Sequence, residues 1–222
     1  PASILETAGI KVCIVGSAVV RLFRSDLLIG DIGLAIAEEQ FDLSLSLLHS
    51  HGFHDIHFEH FQLDAMPALS KPGGWVARRL QYPPTSDIIV LTPARYWHLD
   101  ITPDMTFLPY PHPYRYLHFL AYLEALIRTI DTLVPSGDKS LLFTYQYAIM
   151  AELLPQQPDL EAMISPGDRF FIDFYMKQVG LSSMLKVLEL RNRIIEGSIS
   201  VETAGRIVPR PDLARKRIKE KY

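Results

Sequence analysis

The fold is decided by two runs of sequence, Cys13-Ile14-Val15-Gly16-Ser17-Ala18-Val19-Val20-Arg21 and Leu28-Ile29-Gly30-Asp31-Ile32-Gly33-Leu34-Ala35-Ile36. The first run is short, apolar and β-branched up to a Gly-Ser turn, which predicts a buried strand followed by a brief helix. The second is an apolar strand with Asp31 at its start. Because side chains two residues apart on a strand point to the same face, positions 31 and 33 share one face. The sequence therefore predicts a strand–helix–strand unit with one carboxylate on that face.

The rest of the chain predicts an α+β fold, a short mixed sheet with flanking helices and a helical C-terminal extension. The segment after Phe41 alternates like a strand, but Phe41, Leu45 and Leu48 at helical spacing favour a helix that Gly52 ends. Further strands are predicted at 53–61, 75–82 and 87–91 around a loop at 63–74, and helices at 4–8, 18–23, 114–133, 140–154, 165–180 and 183–196. We predict an α/β core over 1–113 and a helical extension over 114–222, packed on it as one compact unit.

The composition of the chain bears on three classes of protein: nucleic-acid-binding, disulfide-bonded and membrane proteins. The 222 residues carry a formal net charge of -3, which gives no electrostatic reason to expect a nucleic-acid partner. The single cysteine, Cys13, excludes an intrachain disulfide and lies in an apolar strand, where an inert buried thiol is expected. No uncharged apolar run approaches the roughly 20 residues of a membrane span, and no signal-peptide pattern precedes the first strand. We expect no membrane partner and a cytoplasmic protein.

The Gly16-Ser17 turn, the strand 31–36 and the later segment Trp97-His98-Leu99-Asp100 resemble the divergent, largely fungal branch of nucleotidyltransferase-fold proteins. The resemblance covers about residues 1 to 130. It implies a short mixed sheet with helices mainly on one face. Active nucleotidyltransferases hold two divalent ions with two carboxylates two residues apart on one strand and a third on a neighbouring strand.

This sequence departs from that pattern in its carboxylates. Gly33 occupies the position of the second acid, and neither strand 76–80 nor strand 88–91 carries an acid within it. Asp87 lies at the entrance of a strand, Asp100 follows the aromatic segment, and Glu38 and Glu39 lie at a strand end. We therefore predict a degenerate Asp-x-Asp motif, no metal site and no cofactor. An active Mg²⁺-dependent nucleotidyltransferase, with Asp87 or Asp100 completing the site, remains the less favoured interpretation.

Two other clusters are interpreted as surface features. The histidines at 49, 51, 54, 57 and 60 would not converge if they lay on a strand, because His54 and His60 face away from His57, and a metal site needs three or four converging ligands. The basic segment from Arg206 to Lys221 lacks interleaved aromatic residues, which favours a solvated terminus over a nucleic-acid contact.

A cluster of aromatic, histidine and arginine side chains surrounds the prolines between 96 and 118. It is either a packed connection between sheet and helices or the wall of a binding pocket. On the pocket interpretation, the candidate catalytic residues are His98, Arg115 and Tyr96. The candidate substrate-binding residues are Gly16, Ser17, Asp31, Gly33, Trp97, Asp100 and Tyr114.

The resemblance and the missing acids together predict a cleft that binds a small apolar molecule. A shaped, dry pocket with one or two hydrogen-bond donors is enough for a metal-free cyclase or isomerase, including a pericyclase of the Diels–Alder type. The resemblance places such chemistry in fungal secondary-metabolite biosynthesis. The alternative is a non-catalytic pseudoenzyme that acts as a binding module. The sequence leaves the oligomeric state open.

Overall fold

The computed structural model describes residues 1–23, 31–56, 77–109, 115–135, 141–178 and 180–208. The chain forms two compact units, Pro1–Ile130 with Lys139–Met150, and Asp131–Asp138 with Ala151–Tyr222. The division thus falls near residue 130 rather than at the predicted residue 113. The reason is that the apolar stripe formed by Tyr122, Leu123 and Leu126 is fully buried in the first unit.

The first unit is built around a sheet whose seven described strands follow the order β3-β4-β5-β2-β1-β7-β6. Strand β1 is antiparallel to β2, and β2 is parallel to β5, so the sheet is mixed. The strands are β1 Val12–Val15, β2 Asp31–Ile36, β3 His54–Asp55, β4 Arg78–Gln81, β5 Ile88–Pro93, β6 Thr106–Phe107 and β7 Tyr116–Leu117. The predicted fold class is confirmed.

Helices flank this sheet. The α-helices that begin in the first unit are α1 Ala2–Thr7, α2 Ser17–Leu22, α3 Phe41–Ser50, α4 Phe119–Leu133 and α5 Leu141–Leu153. Short 3₁₀ helices cover Glu38–Gln40, Ala94–Trp97 and Pro103–Met105. The segment after Phe41 is helical, as its apolar spacing predicts. The prediction of a helix from Tyr114 was wrong at its start, because Tyr116 pairs with Ile14 of β1 in a short parallel strand.

The second unit is helical, with α6 Pro158–Glu161, α7 Pro166–Phe174, α8 Leu181–Ile195 and α9 Val201–Ile207. Helix α7 begins as predicted, since the Ser165 hydroxyl accepts a hydrogen bond from the Asp168 backbone N–H at 3.1 Å. It ends at Phe174, earlier than the predicted residue 180. Helix α9 was not predicted. The predicted loop at 63–74 and the basic segment beyond residue 208 lie outside the described residues.

In the second unit, two ion pairs of the buried Arg191 connect α8 with Asp168 of α7 and with Asp131. The Arg191 guanidinium lies 2.7 Å from an Asp168 carboxylate oxygen and 3.2 Å from one of Asp131. Because a buried charge without a partner is costly, these contacts fix α8 against α7. Among the described helices, none is long and apolar enough to cross a membrane.

Candidate functional site

The candidate site begins at the turn between β1 and α2. Gly16 has φ +80° and ψ -153°, a backbone conformation that favours glycine, and an added Cβ would meet no atom within 4 Å. Glycine is therefore favoured at position 16 by its backbone conformation and not by crowding from neighbouring atoms. The pKa of the Tyr122 hydroxyl on α4 is raised, because its burial outweighs the stabilisation that the nearby Gly16 backbone gives to the ionised form.

Strand register places four residues in a row beside this turn. Val15 of β1 pairs with Gly33 of β2, and Gly33 in turn pairs with Val90 of β5. Val90 pairs with Arg79 of β4. Laterally paired residues point to the same face of a sheet, so the row Val15–Gly33–Val90–Arg79 runs across one face. Asp31 lies on this face too, two residues before Gly33.

Gly33 is enclosed by the neighbouring strand. A Cβ at this position would lie 2.9 Å from the Val15 carbonyl oxygen and 3.2 Å from Val15 Cγ2. The first distance is shorter than real Cβ contacts, and the crowding atom is backbone. A side chain at position 33 therefore requires β1 and β2 to move apart. The absence of a side chain at position 33 allows the close approach of the two strands.

Asp31 and Arg79 are the charged groups of this face. Asp31 is half-buried, and Arg79 is 6% exposed. Burial raises the pKa of the Asp31 carboxyl, and the positive charge of Arg79 partly offsets that rise. Burial lowers the pKa of Arg79, and the charge of Asp31 opposes the decrease. The face thus carries one carboxylate electrostatically coupled to one guanidinium.

An aromatic wall closes the other side. The Trp97 indole N–H donates to the Thr92 hydroxyl at 2.9 Å, and the Trp97 ring meets the Phe143 ring edge-on, with centroids 5.0 Å apart. The Gln146 side-chain carbonyl accepts a hydrogen bond from the Tyr122 hydroxyl. The amide nitrogen of Gln146 is buried and has no hydrogen-bond partner among the described residues.

Between the turn, the strands and this wall lies a small cavity that we call the Gly16 cleft. Its volume is about 20 Å³. This volume is close to that occupied by one water molecule. The lining residues are Val15, Gly16, Ser17, Asp31, Gly33, Val90, Thr92, Trp97, Phe143 and Gln146. The cleft is mostly apolar, and its polar lining residues are Ser17, Asp31, Thr92 and Gln146.

The structure brings together five of the candidate residues, and these five line the Gly16 cleft: Gly16, Ser17, Asp31, Gly33 and Trp97. Tyr96 does not line the cleft, but its ring packs against the lining residue Phe143, with ring centroids 5.9 Å apart. His98 and Asp100 are exposed and do not line the cleft, and His98 has a left-handed φ of 52°. Arg115 lines a different cavity, and Tyr114 lies outside the described residues.

Besides the strand residues Val15 and Val90, sequence reasoning missed four residues of the site, which are Arg79, Thr92, Phe143 and Gln146. Arg79 has a signal in the sequence, because adjacent strand residues point to opposite faces, so Arg78 and Arg79 cannot both face solvent on a one-sided sheet, and the buried one must find a polar partner. The other three reach the cleft through strand pairing and helix placement. Those contacts join residues far apart in the chain, and local patterns do not encode them.

No three His, Cys, Asp or Glu side chains are placed to hold a metal ion within the described part of the chain. Of the clustered histidines, His49 contacts Asp55 at 3.0 Å, and His51 contacts its own helix at the Leu47 carbonyl. His57 and His60 lie outside the described residues. The Asp87 and Asp100 side chains are exposed.

Comparison with known proteins gives similarity at the level of the backbone. No protein-family model and no curated protein sequence matches the chain. A crystal structure of ANT(2'')-Ia in complex with adenylyl-2''-tobramycin covers 72% of this chain and 90% of its own, with 15% identity and a TM-score of 0.41. A solution structure of the antibiotic-resistance factor ANT(2'')-Ia covers 88% and 91%, with 12% identity and a TM-score of 0.43.

A tRNA nucleotidyltransferase complexed with a primer tRNA and an incoming ATP analog covers 88% of this chain and 61% of its own, with 13% identity and a TM-score of 0.30. These similarities concern the fold alone. Activity has to be argued from the residues of the site.

Proposed function

We propose that the chain is a metal-independent protein of nucleotidyltransferase-like architecture whose Gly16 cleft takes a small apolar molecule. The row Val15–Gly33–Val90–Arg79 beside Asp31 carries this proposal. Divalent magnesium prefers oxygen ligands, carboxylates above all, and these positions offer two aliphatic side chains, a glycine and a guanidinium. The cation of Arg79 partly offsets the cost of burying the one carboxylate on the face.

Asp31 supports proton-transfer chemistry in such a cleft. A partly desolvated carboxyl with a raised pKa is a stronger base than an exposed one, and apolar walls exclude competing water. This is the chemistry of a cofactor-free isomerase. A cyclase, including one for cycloaddition, would use the aromatic wall for shape and orientation. On the strength of the sequence resemblance, we also propose that the protein acts in secondary-metabolite biosynthesis.

The size of the cleft favours a second candidate, a non-catalytic binding module. A cavity of about 20 Å³ does not hold an organic molecule unless the lining side chains move. Ligand pockets usually measure about 300–1,000 Å³. On this interpretation Arg79 and Asp31 form a structural pair, and the lining side chains move to admit a molecule on which no residue of the cleft acts. The two candidates differ in whether Asp31 acts on a bound molecule.

One probe distinguishes these candidates. The molecule 5-nitrobenzisoxazole is small and apolar, and a carboxylate base removes its C–H proton while the N–O bond breaks and a coloured phenolate is released. The sequence contains two tryptophans, so Trp75→Phe leaves Trp97 as the reporter in the wall of the cleft. Probe binding is read from Trp97 emission and proton removal from absorbance, on the full chain.

The isomerase interpretation predicts saturable quenching of Trp97 and a turnover that Asp31→Asn abolishes while binding persists. Val90→Leu fills the cleft and should weaken both signals. Saturable quenching without turnover supports the binding module. If Trp97 emission shows no saturation with the probe and no turnover occurs, the Gly16 cleft is not a site for small apolar molecules.

A further inference from the structure

A second and much larger cavity lies at the other end of β1. Its volume is about 480 Å³. That size falls within the roughly 300–1,000 Å³ of small-molecule sites. The end of α1, the start of β1, the segment 101–108 and Arg115 enclose it. Its lining residues are Glu6, Gly9, Ile10, Lys11, Val12, Ile101, Thr102, Pro103, Thr106, Leu108 and Arg115. We call it the Arg115 cavity.

Arg115 is held in place by its backbone. Its carbonyl oxygen accepts a hydrogen bond from the Ile14 N–H of β1 at 2.8 Å. Its guanidinium donates to the Thr106 hydroxyl at 3.4 Å and lies 4.0 Å from a Glu6 carboxylate oxygen. A guanidinium has five N–H donors, and these two long contacts engage few of them among the described residues. Donors therefore remain for a ligand.

Lys11 adds a second positive charge to the same wall. Its backbone N–H donates to the Gln40 side-chain oxygen at 2.8 Å, and its carbonyl accepts from the Ala37 N–H at 3.1 Å. Its ammonium group makes no hydrogen bond or ion pair within the described residues. With Lys11 and Arg115 positive and Glu6 negative, the lining carries a net charge of one positive unit. A monoanion matches this charge.

Glu6 indicates which group of a ligand lies next to the negatively charged one. Its Oε1, the oxygen that lies 4.0 Å from Arg115 Nε, is buried and has no hydrogen-bond partner among the described residues. A buried acceptor without a donor is destabilising, and a ligand hydroxyl or amine would satisfy it. Apart from Thr102 and Thr106, the remaining lining is apolar, from Ile10, Val12 and Ile101 inside to the exposed Leu108 at the rim. A ligand for this cavity combines an apolar body with a carboxylate and a neighbouring donor.

We propose that the Arg115 cavity binds a small amphipathic carboxylic acid that carries a hydroxyl group beside its carboxylate. The carboxylate meets Arg115 and Lys11, the donor meets Glu6, and the apolar body lies along Ile10, Val12 and Ile101. The site is separate from the Gly16 cleft, since the two cavities share no lining residue. It therefore goes beyond the proposed function.

Calorimetric titration of the full chain with three related probes tests the proposal. Phenyllactate has the carboxylate, the hydroxyl and the apolar ring. Phenylpropionate lacks the hydroxyl, and phenylpropanol lacks the carboxylate. We expect phenyllactate to bind several-fold more tightly than phenylpropionate, and phenylpropanol to show no saturation. Glu6→Gln should reduce the preference for the hydroxyl acid.

Removal of the guanidinium is the decisive variant. Because hydrogen bonds to charged groups are strong, Arg115→Met should weaken phenyllactate binding about tenfold to a hundredfold. Arg95→Met is the matched control, as Arg95 is 68% exposed and pairs with Glu38 outside the cavity. Lys11→Met provides an independent variant if Arg115→Met fails to fold. Equal affinity of the Arg115 and Arg95 variants, or no saturation with any acid, would overturn the proposal.

Discussion

Gly33→Ala tests whether strand packing, rather than chance, keeps a side chain from the second acid position. The added Cβ would lie 2.9 Å from the Val15 carbonyl oxygen, about 0.5 Å inside the 3.4 Å at which ordinary contact begins. Because the crowding atom is backbone, relief requires β1 and β2 to separate along their ladder. Overpacking of this kind usually costs about 1–3 kcal/mol. We expect Gly33→Ala to lower the free energy of unfolding by that amount.

Gly205→Ala is the matched control. Gly205 lies inside α9, and its added Cβ would meet only Phe174 Cζ at 4.0 Å. Alanine is favoured over glycine in a helix by roughly 1 kcal/mol, so this variant should be more stable than the wild type. Urea denaturation, followed by far-ultraviolet circular dichroism, measures both variants. If Gly33→Ala is as stable as the wild type, the enclosure of Gly33 by Val15 is refuted.

Three further predictions concern charges and a helix end. Asp31→Asn should gain stability relative to the wild type as pH rises above 3.8, because burial raises the folded-state pKa of Asp31 and the folded state disfavours the ionised carboxylate. Urea denaturation at several pH values measures the difference in the free energy of unfolding between the two proteins. A difference that does not change with pH would contradict this prediction. Arg191→Met leaves Asp168 buried without its partner and should cost about 3–5 kcal/mol, a loss that thermal denaturation would detect. Ser165→Ala removes the α7 cap and should cost about 1 kcal/mol in urea denaturation, whereas no change would show that the cap is redundant.

Local sequence patterns predict much of this fold because its elements have local signals. Glycine and serine mark the β1–α2 turn, and Ser165 with Pro166 marks the start of α7. Periodicity distinguishes a helix from a strand at Phe41–Ser50 even though the segment alternates. The start of α4 had no such signal, because the helical stripe extends back over residues that pair with β1 instead.

The site is less predictable for a physical reason. Asp31 and Gly33 are recognisable in the chain, but the neighbours that determine their chemistry lie on other strands. Arg79 reaches Asp31 through the register of β4, β5 and β2, which depends on pairing between distant segments. The Arg115 cavity depends on the same kind of contact, since Arg115 is positioned by Ile14. Register between distant strands is a property of the folded sheet.

On the proposed function, the Gly16 cleft does not bind a nucleotide together with a metal ion. Isothermal titration of the full chain with ATP and with GTP, each with and without Mg²⁺, tests it most directly. The row Val15–Gly33–Val90–Arg79 predicts no magnesium-dependent binding heat for either nucleotide. A saturable, magnesium-dependent heat that Asp31→Asn abolishes would contradict the account and identify a working nucleotide site.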